Sequence, residues 1–227
     1  MQLEVLYEDN HCLVVNKPAG TLVQSDRTGD RSLLEQGKIW VKQHYGKPGE
    51  VFLGAVHRID RPVSGIVLMA RTSKALSRLA AAFRDHRVEK TYRAILEHPP
   101  EVLEGRLEHH LLKDPKSNTT HIVPHDMKGA RHAVLRYRVV QRVAAGTLVE
   151  IYPDSGRPHQ IRVQMATVGG AIVGDLRYGA KTALGEKIAL HASQLDFPHP
   201  TKQEIIDVHC PLPQSWAELL GGSYGQR

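Results

Sequence analysis

Cysteines and long hydrophobic runs are scarce in this sequence. Cys12 and Cys210 are the only cysteines among 227 residues, which argues against a disulfide framework and leaves no cysteine cluster at metal-ligand spacing. Apolar runs such as residues 66–70, IVLMA, are far shorter than the ~20 residues that a membrane-spanning helix requires. Residues 1–4 show neither a basic nor an apolar leader, so we expect no signal peptide and a cytoplasmic location.

Several common cofactor and nucleophile motifs are also missing. The sequence has no Gly-rich phosphate loop of the Walker type, no His-Glu-x-x-His helix and no dinucleotide-binding fingerprint. Ser64 lacks the preceding glycine of a nucleophile elbow. The 14 histidines include His109, His110, His121 and His125, but they show no acidic or cysteine partners at ligand spacing. We therefore expect no metal site, no nucleotide and no redox cofactor.

The composition is that of a globular protein with a basic surface. Hydrophobic residues make up 41% of the chain and charged residues 24%, so an ordinary core is expected and bulk disorder is not. Thirty Lys and Arg against 24 Asp and Glu give a net charge of +6, and the sequence pI is about 9.4. This balance favours a polyanionic partner, either nucleic acid or acidic lipid.

Periodicity and turn residues predict mostly strands with a few helices. Strands are predicted at residues 3–7, 12–15, 51–61, 65–70, 91–96, 133–142 and 147–153. Helices are predicted from Ser32 to about His44, from Thr72 or Ser73 through Phe83, from Pro158 to Met165, and briefly at 216–220. Residues 105–132 are predicted to form turns and a hairpin. We expect one domain spanning residues 1–227, of α+β class with a mainly antiparallel sheet.

One carboxylate stands out because it lies between two arginines where a predicted strand enters a turn. Asp60 is flanked by Arg58 and Arg61 and is followed by Pro62. A structural ion pair explains this pattern when the segment is considered alone. A catalytic carboxylate would gain from the same setting, since adjacent cations favour its charged form.

Two further segments carry polar groups in positions suited to a site. Residues 155–164, SGRPHQIRVQ, begin a predicted helix whose first N–H groups and positive dipole end suit anions, although capping and solvation would explain them too. Arg162 lies between Ile161 and Val163, so its side chain can turn inward to a buried carboxylate. Tyr92 lies in an alternating strand, where packing is the ordinary explanation for a single tyrosine.

Taken in order, these segments resemble the RluA-type family of RNA pseudouridine synthases over residues 13–200. The resemblance rests on VVNKPAG at 14–20, HRIDRPVSG at 57–65, KTY at 90–92, GRPHQIR at 156–162, VGDLRYG at 173–179 and LHA at 190–192. Ile59, Val63 and Ser155 depart from the family pattern, and these conservative changes affect the expected fine specificity. The residues before the first motif leave no room for a small N-terminal RNA-binding domain, which suggests the compact form of the family.

The resemblance implies a site and a reaction. Asp60 would be the catalytic carboxylate, acting as nucleophile or general base, with Arg162 orienting it and Tyr92 acting as a base or stacking under the uracil. The implied substrate-binding residues are His57, Arg58, Arg61, Lys90, Arg157, His159 and Gln160. The implied partner is structured RNA, ribosomal or transfer, bound without a metal or cofactor. The oligomeric state is open, and a monomer is the default expectation. The reaction would isomerise uridine after flipping it from its stack.

Two other functions remain open at this point. A nucleic-acid glycosylase would also flip a base and use a carboxylate, but it would release the base by hydrolysis. A non-catalytic RNA-binding or RNA-folding protein would keep the fold without the reaction. The combined presence of Asp60, Tyr92 and Arg162 favours the isomerase, since a binding protein has no need of an arginine-paired aspartate.

Overall fold

A computed structural model describes residues 3–26 and 29–222. The chain folds as two compact units. One comprises Met1–Glu89 and Ala192–Pro211, and the other comprises Lys90–His191 and Leu212–Arg227. We call them the first and the second unit. Among the described helices none is long and apolar enough to cross a membrane.

The secondary structure of the described residues is mostly strand. In chain order the strands are β1 Glu4–Glu8, β2 Cys12–Lys17, β3 Gly54–Ala55, β4 Ser64–Ala70, β5 Glu89–Leu96, β6 Glu104–Asp114, β7 Thr119–Val123, β8 Arg131–Val143, β9 Gly146–Pro153, β10 Leu190–Pro198 and β11 Ile205–His209. The α-helices are α1 Leu33–His44, α2 Ser73–Arg84, α3 Gln160–Met165 and α4 Ala217–Leu220, with short 3-10 helices at Leu176–Tyr178 and Gln214–Trp216.

The first unit is built around β4. It pairs antiparallel with β2 and β3 and also neighbours β10, while β1 pairs with β2 and β11 with β10. Every residue of β4 is buried, which is why this strand is one continuous apolar run and not an alternating pattern. Helix α2 packs against β3 and β4. The strand that follows Asp60 is therefore firmly held in the core.

The helices of the first unit begin at side-chain caps. Ser32 forms a capping box with Glu35, whose backbone N–H lies 3.3 Å from the Ser32 hydroxyl. Thr72 accepts a hydrogen bond from the N–H of Ala75 at 3.1 Å. Each cap satisfies an N–H group that has no partner within the helix. The predicted starts of both helices are thus confirmed.

The second unit is an antiparallel sheet with the strand order β5-β9-β8-β6-β7. Helix α3 packs against β6 and β7, where Leu111, Ala133 and Val163 form a small buried cluster. The predicted strands on either side of Gly146 are confirmed as β8 and β9. The α+β class with mainly antiparallel pairing, expected from the sequence, is confirmed.

Two local predictions were wrong, the first because of a side-chain contact and the second because of a backbone conformation. Residues 51–61 were expected to form a strand, but only Gly54–Ala55 does. The N–H of Leu68 in β4 donates to Nε2 of His57 at 3.0 Å, so an imidazole takes the place of a strand carbonyl. Helix α3 was expected to begin at Pro158, but it begins at Gln160 because His159 adopts a left-handed conformation with φ of 52°.

Replacing Gly65 with alanine should strongly destabilise the protein. Gly65 has a φ of +112°, and an added Cβ would lie 2.3 Å from the carbonyl oxygen of Ala192. Backbone strain and overlap with main chain together should lower the free energy of unfolding by about 3 kcal/mol or more. Urea unfolding measures this change. Gly49→Ala is the matched control, because nothing lies within 4 Å of its added Cβ; equal stability of the two variants would contradict the assignment.

Candidate active site

Asp60 lies in the loop between β3 and β4 of the first unit and is half-buried. Its carbonyl oxygen accepts the N–H of Val63 at 3.0 Å, which closes a tight turn before β4. Arg58, two residues earlier, is exposed. The turn therefore fixes the backbone of the carboxylate at the entry to a fully buried strand.

A buried lysine supports this turn from the motif at residues 14–20. The side chain of Lys17 is fully buried, and its Nζ donates to the carbonyl oxygens of Pro18 at 3.1 Å, Thr21 at 2.8 Å and Arg61 at 3.1 Å. Burial lowers the pKa of Lys17 to about 7, while the charge of Asp60 acts in the opposite direction. Three acceptors match the three N–H groups of an ammonium, so the contacts favour its charged form.

Arg61 joins the same two motifs a second time. Its Nε donates to the carbonyl oxygen of Gly20 at 3.0 Å, and its own carbonyl oxygen accepts the N–H of Gly20 at 2.7 Å. Its guanidinium also forms an ion pair with Asp30 at 2.8 Å. The structure thus brings together two sequence motifs that are separated by some forty residues.

His57 is held by the core of the first unit. Besides accepting from Leu68, its ring stacks on Phe83 of α2, with centroids 4.8 Å apart. Because Nε2 accepts a hydrogen bond, the proton of a neutral ring lies on Nδ1. The imidazole therefore orients the segment that leads to Asp60.

Tyr92 and Lys90 lie on β5 in the second unit. Tyr92 is half-buried and stands opposite Ile151 of β9. The Nζ of Lys90 donates to the carbonyl oxygen of Ser155 at 3.3 Å. Burial lowers the pKa of Lys90, and the charge of Asp154 opposes this. Lys90 thereby connects the tyrosine strand to the start of the arginine motif.

The start of the arginine motif is fixed by Gln160. Its Oε1 accepts from the Ser155 hydroxyl at 2.7 Å and from the N–H of Arg157 at 3.0 Å, and its Nε2 donates to the carbonyl oxygen of Val134 at 3.0 Å. The N–H of Val134 also donates to the Ser155 hydroxyl at 3.1 Å. These bonds attach the turn before α3 to β8, so the helix that carries Arg162 has a defined origin.

Arg162 forms a buried, two-point ion pair with Asp175. Its Nε lies 2.7 Å from one carboxylate oxygen and an Nη 2.8 Å from the other, and the side chains are only 6% and 1% exposed. Sequence reasoning assigned no role to Asp175. The signal was present in the motif at residues 173–179, which resembles the family pattern but carries no function that the sequence reveals.

A separate group of possible metal ligands lies elsewhere in the first unit. Ligand atoms of Asp9, Cys12 and His199 all lie within 4.8 Å of one another. However, Nδ1 of His199 accepts the N–H groups of Thr201 at 3.2 Å and Lys202 at 3.0 Å. The ring proton is therefore on Nε2, which donates to Asp9 at 2.6 Å. Burial raises the pKa of the Cys12 thiol to about 12, and the backbone N–H of Cys12 donates to Asp9 at 2.7 Å, so Asp9 is hydrogen-bonded to both of the other residues.

A family model described as RNA pseudouridylate synthase matches residues 11–167, which include Asp60, Tyr92 and Arg162. The chain belongs to the RNA pseudouridine synthase family. It is similar to a protein of Zymomonas mobilis named ribosomal large subunit pseudouridine synthase D, with 36% identity over 96% of this chain and 72% of that protein. The resemblance drawn from the motifs is thereby confirmed.

Two other similarities agree with this membership. A protein of Vibrio cholerae named ribosomal large subunit pseudouridine synthase C is 36% identical over 95% of this chain and 68% of that protein. The structure of human RNA pseudouridylate synthase domain containing 4 superposes with a TM-score of 0.80 at 25% identity, covering 96% of this chain and 91% of that one. Members of the RNA pseudouridine synthase family are isomerases that act on RNA.

Replacing Lys17 with methionine should destabilise this RNA pseudouridine synthase. Methionine matches the lysine side chain as far as Cε but lacks the amino group that donates to the three carbonyl oxygens of the loop. The free energy of unfolding should fall by about 2–3 kcal/mol, measured by urea unfolding. Lys47→Met, at an exposed position of the same unit, should change it by less than about 0.5 kcal/mol. Equal effects at the two positions would mean that the Lys17 contacts do not stabilise the loop.

Proposed function

We propose that this protein converts specific uridines of structured ribosomal RNA to pseudouridine, with Asp60 as the catalytic carboxylate. The observation that carries the proposal is the family match over residues 11–167, which spans Asp60, Tyr92 and Arg162 in the order of the family motifs. Relatives named for the large ribosomal subunit favour ribosomal over transfer RNA as the substrate.

The reaction explains why the site needs a carboxylate and no redox partner. The N1–C1′ bond of uridine breaks, the base turns, and a C5–C1′ bond forms. One proton then leaves C5, and N1 gains one, so that atoms and electrons balance without an added oxidant or reductant. Asp60 acts on the ribose and base as a nucleophile or as a general base.

The other residues support this chemistry. In the proposal, Arg162 orients Asp60 and favours its ionised form, and Tyr92 removes the C5 proton or stacks beneath the uracil. Arg58 is exposed and contacts a phosphate or fills the space of the flipped base. The remaining residues proposed to contact RNA or to shape its site are His57, Arg61, Lys90, Arg157, His159 and Gln160.

A basic surface would hold the RNA backbone. The exposed cations of the second unit include Arg106, Lys113, Lys116, Lys128 and Arg131. Long cationic side chains on a protein with a net charge of +6 suit phosphate contacts, which position RNA without reading its sequence. We propose that the whole chain acts as one catalytic domain, as a monomer in the cytoplasm.

Asp60→Asn should abolish pseudouridine formation and preserve RNA binding, because it removes the charge and keeps the shape. The substrate is a transcript of large-subunit ribosomal RNA that carries tritium at C5 of uridine, since isomerisation releases that hydrogen to water. Tritium release should fall by about 1,000-fold or more, because the nucleophile or base is removed. The RNA dissociation constant should change less than about twofold.

The control for this experiment is Asp126→Asn, at an exposed position, which should retain wild-type activity. Full activity of the Asp60 variant would refute the proposed role of the carboxylate. Release of free uracil would identify a glycosylase instead. RNA binding without tritium release by the unaltered protein would identify a binding protein that retains the fold.

RNA binding should weaken steeply as salt rises. With about four phosphate contacts, affinity should fall on the order of 100-fold between about 50 and about 200 mM salt. Combining Lys113→Ala with Lys116→Ala should flatten the logarithmic slope by about 0.7–0.9 for each phosphate that the variant no longer neutralises. Lys202→Ala is the control, because Lys202 pairs with Glu204 at 3.1 Å in the first unit. A salt-independent affinity would rule out the basic surface as the RNA-binding element.

A further inference from the structure

In the second unit, the motif at residues 173–179 forms a turn that contacts Arg162 through Asp175. Gly174 has a φ of +90°, and an added Cβ there would lie 2.6 Å from the carbonyl oxygen of Lys187. The carbonyl oxygen of Asp175 accepts the N–H groups of Tyr178 at 3.0 Å and Ala180 at 3.1 Å. The backbone positions of Asp175 and Tyr178 are therefore held in a fixed relation to each other.

Asp175 fixes the direction of the guanidinium of Arg162. The carboxylate engages Nε and one Nη of Arg162 at 2.7 and 2.8 Å. All N–H groups of a guanidinium lie in one plane. A two-point contact along one edge consequently determines where the remaining N–H groups point, which a single hydrogen bond would not do.

The ring of Tyr178 contacts the same guanidinium. Its ring centroid lies 5.1 Å from the Cζ of Arg162, within the range of a cation–π contact. The Tyr178 hydroxyl accepts the N–H of Thr120 at 2.8 Å and lies 2.8 Å from Nδ1 of His159. The ring is thus anchored at its far end to β7 and to the residue that precedes α3.

The depth of this pair makes its orientation costly to change. Both charged side chains are almost fully buried, and a buried charge without its partner is strongly destabilising. A stable pair alone could serve the fold, because buried pairs are also found far from active sites. This one, however, engages an arginine that the proposed reaction requires in a defined direction.

We propose that Asp175 is a positioning residue for the uridine isomerisation. Asp175 fixes the direction of the Arg162 guanidinium, and the ring of Tyr178 is a second support for that group. The inference rests on the proposed function, in which Arg162 serves Asp60. Asp175 itself does not touch the substrate. It acts through Arg162, so its replacement affects the chemical step more than RNA binding.

Asp175→Asn and Asp175→Glu test this role with the tritium-labelled ribosomal transcript. The asparagine variant lacks the carboxylate that accepts two hydrogen bonds from Arg162, so the guanidinium loses its fixed direction. The single-turnover rate per folded molecule at saturating RNA should therefore fall by about 100-fold. The glutamate variant keeps the charge and shifts it by one methylene, so about a tenth of the wild-type rate should remain. The RNA dissociation constant should stay within about twofold of wild type in both variants.

The folded fraction of each variant is measured by circular dichroism and thermal unfolding. A pair with a structural role alone would lower the unfolding temperature while the rate per folded molecule stayed at the wild-type value, and this result would overturn the proposal. If Asp175→Asn does not fold, Asp175→Glu decides alone: a rate decrease of about tenfold supports positioning, and a wild-type rate rejects it.

Failure of the proposed function would look different. In that case the unaltered protein would release no tritium, or Asp60→Asn would stay active, and the role of Asp175 would be overturned with it. If the wild type is active, Asp60→Asn is inactive and both Asp175 variants react at the wild-type rate, only the positioning role is rejected.

Discussion

A buried ammonium group holds the loop on which Asp60 depends. Lys17 is fully buried and satisfies its charge with three backbone carbonyl oxygens. Loop carbonyls without strand partners need donors when water is excluded, and a buried lysine needs acceptors. Lys17 therefore supplies the donors that the loop carbonyls need, and the carbonyls supply the acceptors that Lys17 needs. The irregular backbone before β4 is as a result defined without belonging to a helix or a strand.

In the second unit, too, buried charged groups are paired with complementary partners, and here the partners include buried carboxylates. Arg162, which belongs to α3, and Asp175 neutralise each other's charge. In the sheet, Glu150 accepts hydrogen bonds from Arg93 and Arg138, each at 2.7 Å. Burial opposes ionisation of Glu150, but bonds from Tyr152 and Arg138 and the charge of Arg93 lower its pKa. Glu150 of β9 stands opposite Arg93 of β5, the strand that also carries Tyr92. The hydrogen bonds of Glu150 therefore secure the register of β5 against β9.

Local patterns predicted the parts of the fold that local physics determines. Apolar runs predicted β2 and β4, an apolar face predicted α1, and hydroxyl-cap candidates predicted the start of α2, because these signals act within a few residues. The loop at residues 51–61 was mispredicted because His57 replaces a strand carbonyl through a contact eleven positions away. Gln160 likewise fixes the start of α3 through β8, which no local pattern in the helix reveals.

The sequence by itself determined the family, the α+β class and the candidate residues Asp60, Tyr92 and Arg162, because ordered motifs and periodicity are properties of the chain. The tertiary structure alone decided how these residues are supported. Lys17 reaches Arg61 across forty-four positions, and Arg162 reaches Asp175 across thirteen. Such pairings follow from which buried charges meet in space, and sequence separation carries no information about that.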